Sequence, residues 1–363
     1  MINFTVGPVQ MDKQTRKFGK EQIPYFRTPE FSELMKNNEE LLCEFFDAPA
    51  ESRAVFMTGS GTASMEACVM NFYTSQDKVL VVNGGSFGHR LVELCQIFEI
   101  PFEEIKLEYG QPLTADKLAL YENKGFTGFL IQLCETSTGI KYNMELVGDF
   151  CKRNGLLLFV DAISGFLADE FSMKKFNVNV AITGSQKALS LPPGLSFIVM
   201  DKTAQEKCCS HKVKSMYFDL PDYLKNGERG QTPFTPAVGS LIQLNEKLNR
   251  IKANGGIASE NKKYAERAAY FRTQLETQKL PFKLFTMPQD SSNCVTALVH
   301  TNPQINVYKI FETLKDEYAI WICPNGGDMK EKVFRVGHIG SISNKEIDKL
   351  IKAFKSLQKR GLI

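Results

Sequence analysis

Ile182-Thr183-Gly184-Ser185-Gln186-Lys187-Ala188-Leu189 begins as an apolar run and ends by setting a lysine among small, polar and apolar neighbours, with no carboxylate close to it in sequence. A lysine in such surroundings loses its proton readily and can serve as an amine nucleophile. Most lysines are surface residues, so the segment takes its meaning from those around it. Upstream, Phe159-Val160-Asp161-Ala162-Ile163 ends a strongly apolar strand in a carboxylate, at the kind of position where open α/β sheets collect functional groups. Buried there, the acid needs a partner; the alternative is a helix cap or a loop carboxylate. Earlier still, Thr58-Gly59-Ser60-Gly61-Thr62-Ala63-Ser64 joins an apolar strand to a helical pattern. Its small residues admit close backbone approach, free N–H groups at a helix start favour an anion, and Ser60 and Thr62 add hydroxyls. The same segment also reads as a Ser/Thr-capped turn. It lacks the lysine of a nucleotide P-loop and the full glycine spacing of a dinucleotide fingerprint.

These segments belong to a longer alternation. Ala54–Met57, Val79–Val82, Phe129–Leu133, Leu156–Val160, Val180–Thr183 and Ser196–Met200 are short and apolar on both faces, which predicts strands buried in a largely parallel sheet. Amphipathic stretches Ala63–Phe72, His89–Phe98 and Glu145–Arg153 lie between several of them, and the alternation predicts an α/β layer architecture. After about residue 240 the texture changes. Leu241–Ala253 and Ser259–Gln278 read as long helices joined through Asn254-Gly255-Gly256, a helix stop. Strand-like Val295–His300, Ala319–Cys323 and Val333–Val336, with helical Ile305–Tyr318 and Lys345–Lys359, complete a smaller α+β unit. The expected division is an N-terminal segment 1–14 docking on something larger, a large domain 15–255 and a small domain 256–363.

The 363 residues carry 44 Lys+Arg against 41 Asp+Glu, with 43% hydrophobic residues. That balance excludes disorder as the main state, and no uninterrupted apolar run is long enough for a transmembrane helix. The start lacks the basic and apolar regions of a secretory signal, so a cytoplasmic protein is expected. With a pI near 8.2 and dispersed lysines, pairs such as Lys174-Lys175 and Lys262-Lys263 read as solvated faces, and no nucleic-acid footprint is expected. Nine cysteines without framework spacing read as reduced thiols, Cys43, Cys68, Cys95 and Cys151 lying among apolar residues. Cys208-Cys209 with His211 falls short of a metal ligand set, so no metal is expected.

In their order, the three segments resemble those of pyridoxal-phosphate enzymes of the aspartate-aminotransferase fold (fold type I). The resemblance is to the class V branch with alanine–glyoxylate, serine–pyruvate and 2-aminoethylphosphonate–pyruvate aminotransferases. It also takes in Asn3-Phe4-Thr5-Val6-Gly7-Pro8-Val9, Glu135-Thr136-Ser137-Thr138-Gly139 and Phe334-Arg335-Val336-Gly337-His338-Ile339-Gly340, and so runs nearly the whole chain.

The resemblance implies pyridoxal phosphate as cofactor and a set of roles. Lys187 matches the family's imine-forming lysine, which also shuttles the proton of the amino-group shift. Asp161 matches the carboxylate that pairs with the cofactor's ring nitrogen and keeps it protonated. Phe87, in Asn83-Gly84-Gly85-Ser86-Phe87-Gly88-His89-Arg90, falls where relatives carry the stacking aromatic, and Thr136 is expected near the phenolic oxygen. Ser60, Gly61, Thr62 and Gln186 are expected at the phosphate, completed from a neighbouring subunit by Gly230-Gln231-Thr232-Pro233-Phe234-Thr235-Pro236-Ala237-Val238. There Thr235 matches the family's threonine, while Thr232 stands where some relatives have tyrosine; on its own the segment reads as a Pro-fixed surface loop. A homodimer with shared active sites follows. Arg335 matches the arginine that grips a substrate carboxylate through a two-pronged hydrogen bond, and backbone near Gly7 is expected to complete that pocket. Arg27 falls where some relatives have a His-Arg pair, with Phe26 in place of the His; it reads as meeting an anionic substrate tail or forming a surface ion pair.

The implied activity is a ping-pong transamination from a small donor of the alanine, serine or 2-aminoethylphosphonate class to a 2-oxo acid such as glyoxylate or pyruvate. A cysteine desulfurase is the alternative within the branch, prompted by Cys323 in Trp321-Ile322-Cys323-Pro324. Its imine lysine would usually follow a histidine, where this chain has Gln186. A non-catalytic binding protein on the same fold is more remote, since binding alone requires neither Lys187 nor Asp161. A nicotinamide oxidoreductase, suggested by Gly59-Ser60-Gly61, lacks the rest of its fingerprint.

Overall fold

The computed structural model describes residues 1–363. Seven strands form the central sheet: β1 (Arg53–Thr58), β2 (Val79–Asn83), β3 (Phe102–Lys106), β4 (Gly128–Gln132), β5 (Leu157–Asp161), β6 (Val180–Gly184) and β7 (Leu195–Met200). Their order is β1-β7-β6-β5-β4-β2-β3. Only β7 runs against its neighbours β1 and β6; the other pairings are parallel. The two-faced apolar runs have a direct cause. Leu80 and Val82 of β2 enter the core on one face of the sheet, whereas Val79 and Val81 enter the core on the other. Alternate side chains of a strand covered on both sides must all be apolar.

Each expected strand of this sheet is present within a residue or so. The sheet gains β3, which the sequence pattern did not announce, because Phe102, Glu103 and Glu104 are only half-buried and Lys106 is exposed at the edge. Helices α1 (Pro29–Phe45), α2 (Gly61–Phe72), α3 (Ser86–Ile97), α4 (Met144–Asn154) and α5 (Val238–Ala253) pack on the sheet or on one another. The Asn254-Gly255 stop is real: Gly255 sits at φ 97° and α6 (Gly256–Thr277) follows.

A second, antiparallel sheet has the order β8-β9-β11-β10, with β8 (Phe282–Leu284), β9 (Val295–His300), β10 (Cys323–Pro324) and β11 (Val333–Gly337). Helices α7 (Val307–Tyr318) and α8 (Asn344–Lys359) accompany it and share its separate core. The expected strand 319–323 is broken. Ile320–Trp321 instead pairs in parallel with Ile2–Asn3, and Cys323–Pro324 pairs with β11. The N-terminal segment thereby docks, with Phe4 fully buried among the side chains of the second sheet's core. No helix is long and apolar enough to cross a membrane.

Candidate active site

Strands β1, β2, β4, β5 and β6 all point the same way, so their carboxyl ends share one edge of the sheet. The residues following those ends converge there. Asp161 is the last residue of β5, in register with Ile182 of β6 on one side and Gln132 of β4 on the other; Lys187 lies three residues beyond β6.

Lys187 is 7 % exposed. Its Nζ donates to the Val6 carbonyl at 2.6 Å and lies 6.0 Å from the centre of the Phe87 ring. Burial lowers its pKa from the ordinary 10.5; Arg335 adds to the lowering, and the Asp161 field opposes it. Gly7 makes the approach possible: a Cβ there would fall 2.9 Å from Lys187 Cδ. The N-terminal segment is tied on both sides, since Val9 N donates to the Gln186 carbonyl and Gly337 N donates to the Phe4 carbonyl at 2.7 Å.

Asp161 is 5 % exposed. Its Oδ1 accepts from Ile163 N at 2.9 Å, and no cation pairs with it. Burial pushes its pKa up to about 6, against the opposing pull of that N–H and of Lys187. Thr136 Oγ1 hydrogen-bonds Ser164 Oγ. The Thr136 carbonyl accepts from Arg335 Nη1 at 3.1 Å, and the Pro324 carbonyl accepts from Nη2 at 2.7 Å. Arg335, on β11 between Ala297 and Cys323, is thus held by neutral oxygens, and its buried Nε has no partner.

At the start of α2, Ser60 is the N-cap but makes no side-chain cap bond, so its exposed hydroxyl is uncommitted. Gly61 is buried where a Cβ would fall 2.3 Å from Ile163 Cδ1, which brings this turn against the Asp161 loop. Thr62 Oγ1 accepts from Arg90 at 3.2 Å, and the Arg90 guanidinium lies 5.1 Å from the Phe87 ring centre. Gln186 Oε1 is buried without a partner.

The structure therefore brings Ser60, Gly61, Thr62, Phe87, Thr136, Asp161, Gln186, Lys187, Arg335 and the backbone at Gly7 to one edge. Three sequence candidates stand apart. Thr232 Oγ1 donates to its own segment's Phe234 carbonyl at 2.7 Å, and Thr235 is exposed. Arg27 is exposed, donates to the Pro233 carbonyl at 3.4 Å and lies over the Phe26 ring. It makes no ion pair, which corrects that expectation: the adjacent ring and carbonyl occupy the guanidinium instead. Cys323 Sγ turns to the Pro324 carbonyl. All nine cysteines are free. Cys208 is buried while Cys209 is exposed, and no three His, Cys, Asp or Glu side chains converge as metal ligands. Sequence reasoning did not single out Arg90, Ser164 or the side chain of Glu135, although two of them lie within quoted motifs; their roles depend on contacts between distant segments.

The donor set fits pyridoxal phosphate. A buried amine and a buried carboxylate that lacks a cation share one sheet edge, the spare Ser60 hydroxyl and free N–H groups sit at a helix start, and the buried Arg335 Nε and Gln186 Oε1 are orphaned. The model of the family Aminotransferase class-V matches residues 25–327. The chain is 32% identical over 330 residues to the soluble hydrogenase 42 kDa subunit of Anabaena cylindrica, covering 88% of this chain and 83% of that one. It is 27% identical over 360 residues to the 2-aminoethylphosphonate–pyruvate transaminase of Pseudomonas aeruginosa, covering 97% and 94%. Among solved structures, the alanine–glyoxylate aminotransferase of a Nostoc species matches with a TM-score of 0.92 at 25% identity, covering 98% and 95%. The chain belongs to the class-V aminotransferases, pyridoxal-phosphate enzymes of fold type I.

Proposed function

We propose that this aminotransferase moves an amino group from a small donor of the alanine, serine or 2-aminoethylphosphonate class to a 2-oxo acid such as glyoxylate or pyruvate, in two half-reactions at one site. The observation that carries the proposal is the Lys187 amine, buried against the Val6 carbonyl and the Phe87 ring at the sheet edge where β5 ends in Asp161. Similarity to the alanine–glyoxylate and 2-aminoethylphosphonate–pyruvate enzymes supports the substrate classes.

When bound, pyridoxal phosphate supplies the electron sink that makes a substrate Cα–H acidic. Lys187 Nζ would accept the Cα proton and release it elsewhere, a task suited to an amine whose charged form is disfavoured by burial. Asp161 would hold a protonated ring nitrogen, whose charge offsets the cost of burying the carboxylate. Phe87 would stack on the ring. Ser60, the Gly61 and Thr62 N–H groups and Gln186 would hold the phosphate at the start of α2. Arg335, already oriented by two carbonyls, keeps its charge for a substrate carboxylate.

The same reading makes the protein a homodimer whose segment 230–238 completes the partner's phosphate cradle through the exposed Thr235, while Thr232 is buried and committed to the Phe234 carbonyl of its own segment. Exposed apolar side chains on the stretches that adjoin that segment support it: Ile23, Tyr25 and Met216 are each more than half exposed, and Tyr217 stacks on Phe234. The chain divides as a docking segment 1–14, a large unit 15–255 and a small unit 256–363, with the site between the last two.

The test is a half-reaction screen. Purified holoenzyme is mixed with alanine, serine or 2-aminoethylphosphonate and followed by cofactor absorbance, then regenerated with glyoxylate or pyruvate. Conversion by one of these donors is expected. Failure of all three, with sulfide released from cysteine and lost in Cys323→Ser, would replace this reading with desulfuration.

A further inference from the structure

Helix α3 carries Phe87 one residue into its first turn, yet its N-cap is Gly85, which has no side chain to offer the free N–H groups. The cap comes from elsewhere. Glu135, at the end of the short strand Cys134–Glu135, is completely buried. Its Oε2 accepts from Phe87 N and from Gly88 N, both at 3.0 Å. Its Oε1 accepts from Ser137 N at 3.1 Å and from Ser137 Oγ, and Ser137 Oγ itself accepts from Ser86 N at 3.2 Å. No cation pairs with this carboxylate; four hydrogen-bond donors and the positive end of a twelve-residue helix hold it. Gly85 is required for the fit, because a Cβ there would fall 2.3 Å from Ser137 Oγ and 2.6 Å from Glu135 Cδ.

The tetrapeptide Glu135–Thr138 reaches other parts of the site too. Thr136 binds Ser164 in the loop after Asp161 and receives Arg335 at its carbonyl, while the Ser137 carbonyl receives Asn325 Nδ2 at 3.0 Å. Glu135 is therefore anchored to the same short segment that touches the Asp161 loop and the arginine strand.

We propose that Glu135 is a positioning residue of the cofactor site: by capping α3 from a neighbouring strand it fixes the Phe87 ring opposite Lys187. A purely structural cap would grip the same two N–H groups, since Phe87 and Gly88 are the second and third residues of the helix. A positioning residue differs from it in coupling, since groups acting through one another lose binding non-additively.

This inference rests on the cofactor reading above, and the test separates the two. Dissociation constants for pyridoxal phosphate are measured by titration of the cofactor-free protein for the wild type, Glu135→Gln, Phe87→Leu and the double variant, with visible circular dichroism of each loaded form. Glu135→Gln can keep its oxygen toward Phe87 and Gly88 but loses the charge, and should weaken binding about tenfold and diminish the visible dichroic band. Phe87→Leu should weaken it similarly, and the double variant should lose clearly less than the product of the two factors. A loss equal to that product, or a Glu135→Gln protein binding within about twofold of wild type, overturns the role of Glu135. If Glu135→Gln fails to fold, Ser137→Ala replaces it in the cycle and is read by the same criterion. A wild type that does not bind pyridoxal phosphate overturns the cofactor reading instead.

Discussion

Lys187 and Asp161 illustrate how one burial can serve two opposite ends. Desolvation disfavours the charged form of each, lowering the lysine and raising the acid. Lys187→Ala should remove the group that moves the proton and slow single-turnover amino transfer by at least about 10²–10⁴-fold; a rate unchanged in stopped-flow absorbance would discard that role. Arg335→Lys keeps the charge but cannot reproduce the fork, so KM for carboxylate substrates should rise about tenfold with a smaller change in kcat. Steady-state kinetics on alanine or glyoxylate check it. Asp161 carries a pH prediction for the cofactor-free protein. Between the ordinary value of 3.8 and about 6, the folded chain retains a proton that the unfolded chain has released. Stability is then fully present below the ordinary value and is lost as pH rises through about 6, by about 3 kcal/mol from this group. Urea unfolding across that window should show the decline, and Asp161→Asn should flatten it in part. Glu135 and Asp169, raised by burial in the same direction, retain the remainder.

Among the elements, the short N-terminal segment does more than its length suggests. It adds a strand beside Ile320–Trp321, buries Phe4 in the smaller core, and passes Val6 and Gly7 over Lys187. Phe4→Ala should cost about 3 kcal/mol through the cavity it leaves. Because Gly337, two residues past Arg335, donates to the Phe4 carbonyl, KM for carboxylate substrates should rise as well; denaturant titration together with initial rates measures both. A stability loss without any KM change would separate the segment from the substrate pocket. The central strands were legible in the sequence because both faces are covered, leaving no polar alternation to obscure them. Strand β3 was not, since its edge position leaves Glu103 and Glu104 half-buried and Lys106 exposed, so charged residues replace the apolar run. Helix α1 was missed for a related reason: Thr28 and Pro29 give a good start, but Lys36-Asn37-Asn38-Glu39-Glu40 interrupts its apolar stripe. One member of that polar run, Asn38, is in fact buried, donating to the Leu241 carbonyl of α5 at 3.2 Å. Lys187, Asp161 and Arg335 could be marked by motif order. Glu135 and Arg90 could not, because what distinguishes them is whom they touch across the fold.

At the scale of the whole molecule, one surface remains to be accounted for. Ile23 packs beside Gly239, Arg27 reaches Pro233, Tyr217 stacks on Phe234 and donates to the Thr58 carbonyl, and Ala237 N donates to Thr58 Oγ1 at 3.0 Å. Segment 230–238 is therefore fixed against the end of β1, beside the turn that holds Ser60 and Gly61, and it leaves Thr235 facing outward. Around it Ile23, Tyr25 and Met216 are 58 %, 69 % and 80 % exposed in the single chain. Exposed apolar side chains of this size fit the proposed interface, in which a two-fold arrangement would set each copy's segment against the other's cofactor edge. Met216→Glu tests this without touching any core contact, since so exposed a side chain contributes little to the isolated fold. The variant should keep the wild-type unfolding midpoint extrapolated to low protein concentration, dissociate to monomer in sedimentation velocity, and bind pyridoxal phosphate at least tenfold more weakly, because Thr235 no longer reaches the partner's cradle. A wild type that sediments as a monomer yet holds the cofactor as tightly as any concentration allows would remove the shared site, and with it the reason for Thr235 to face outward.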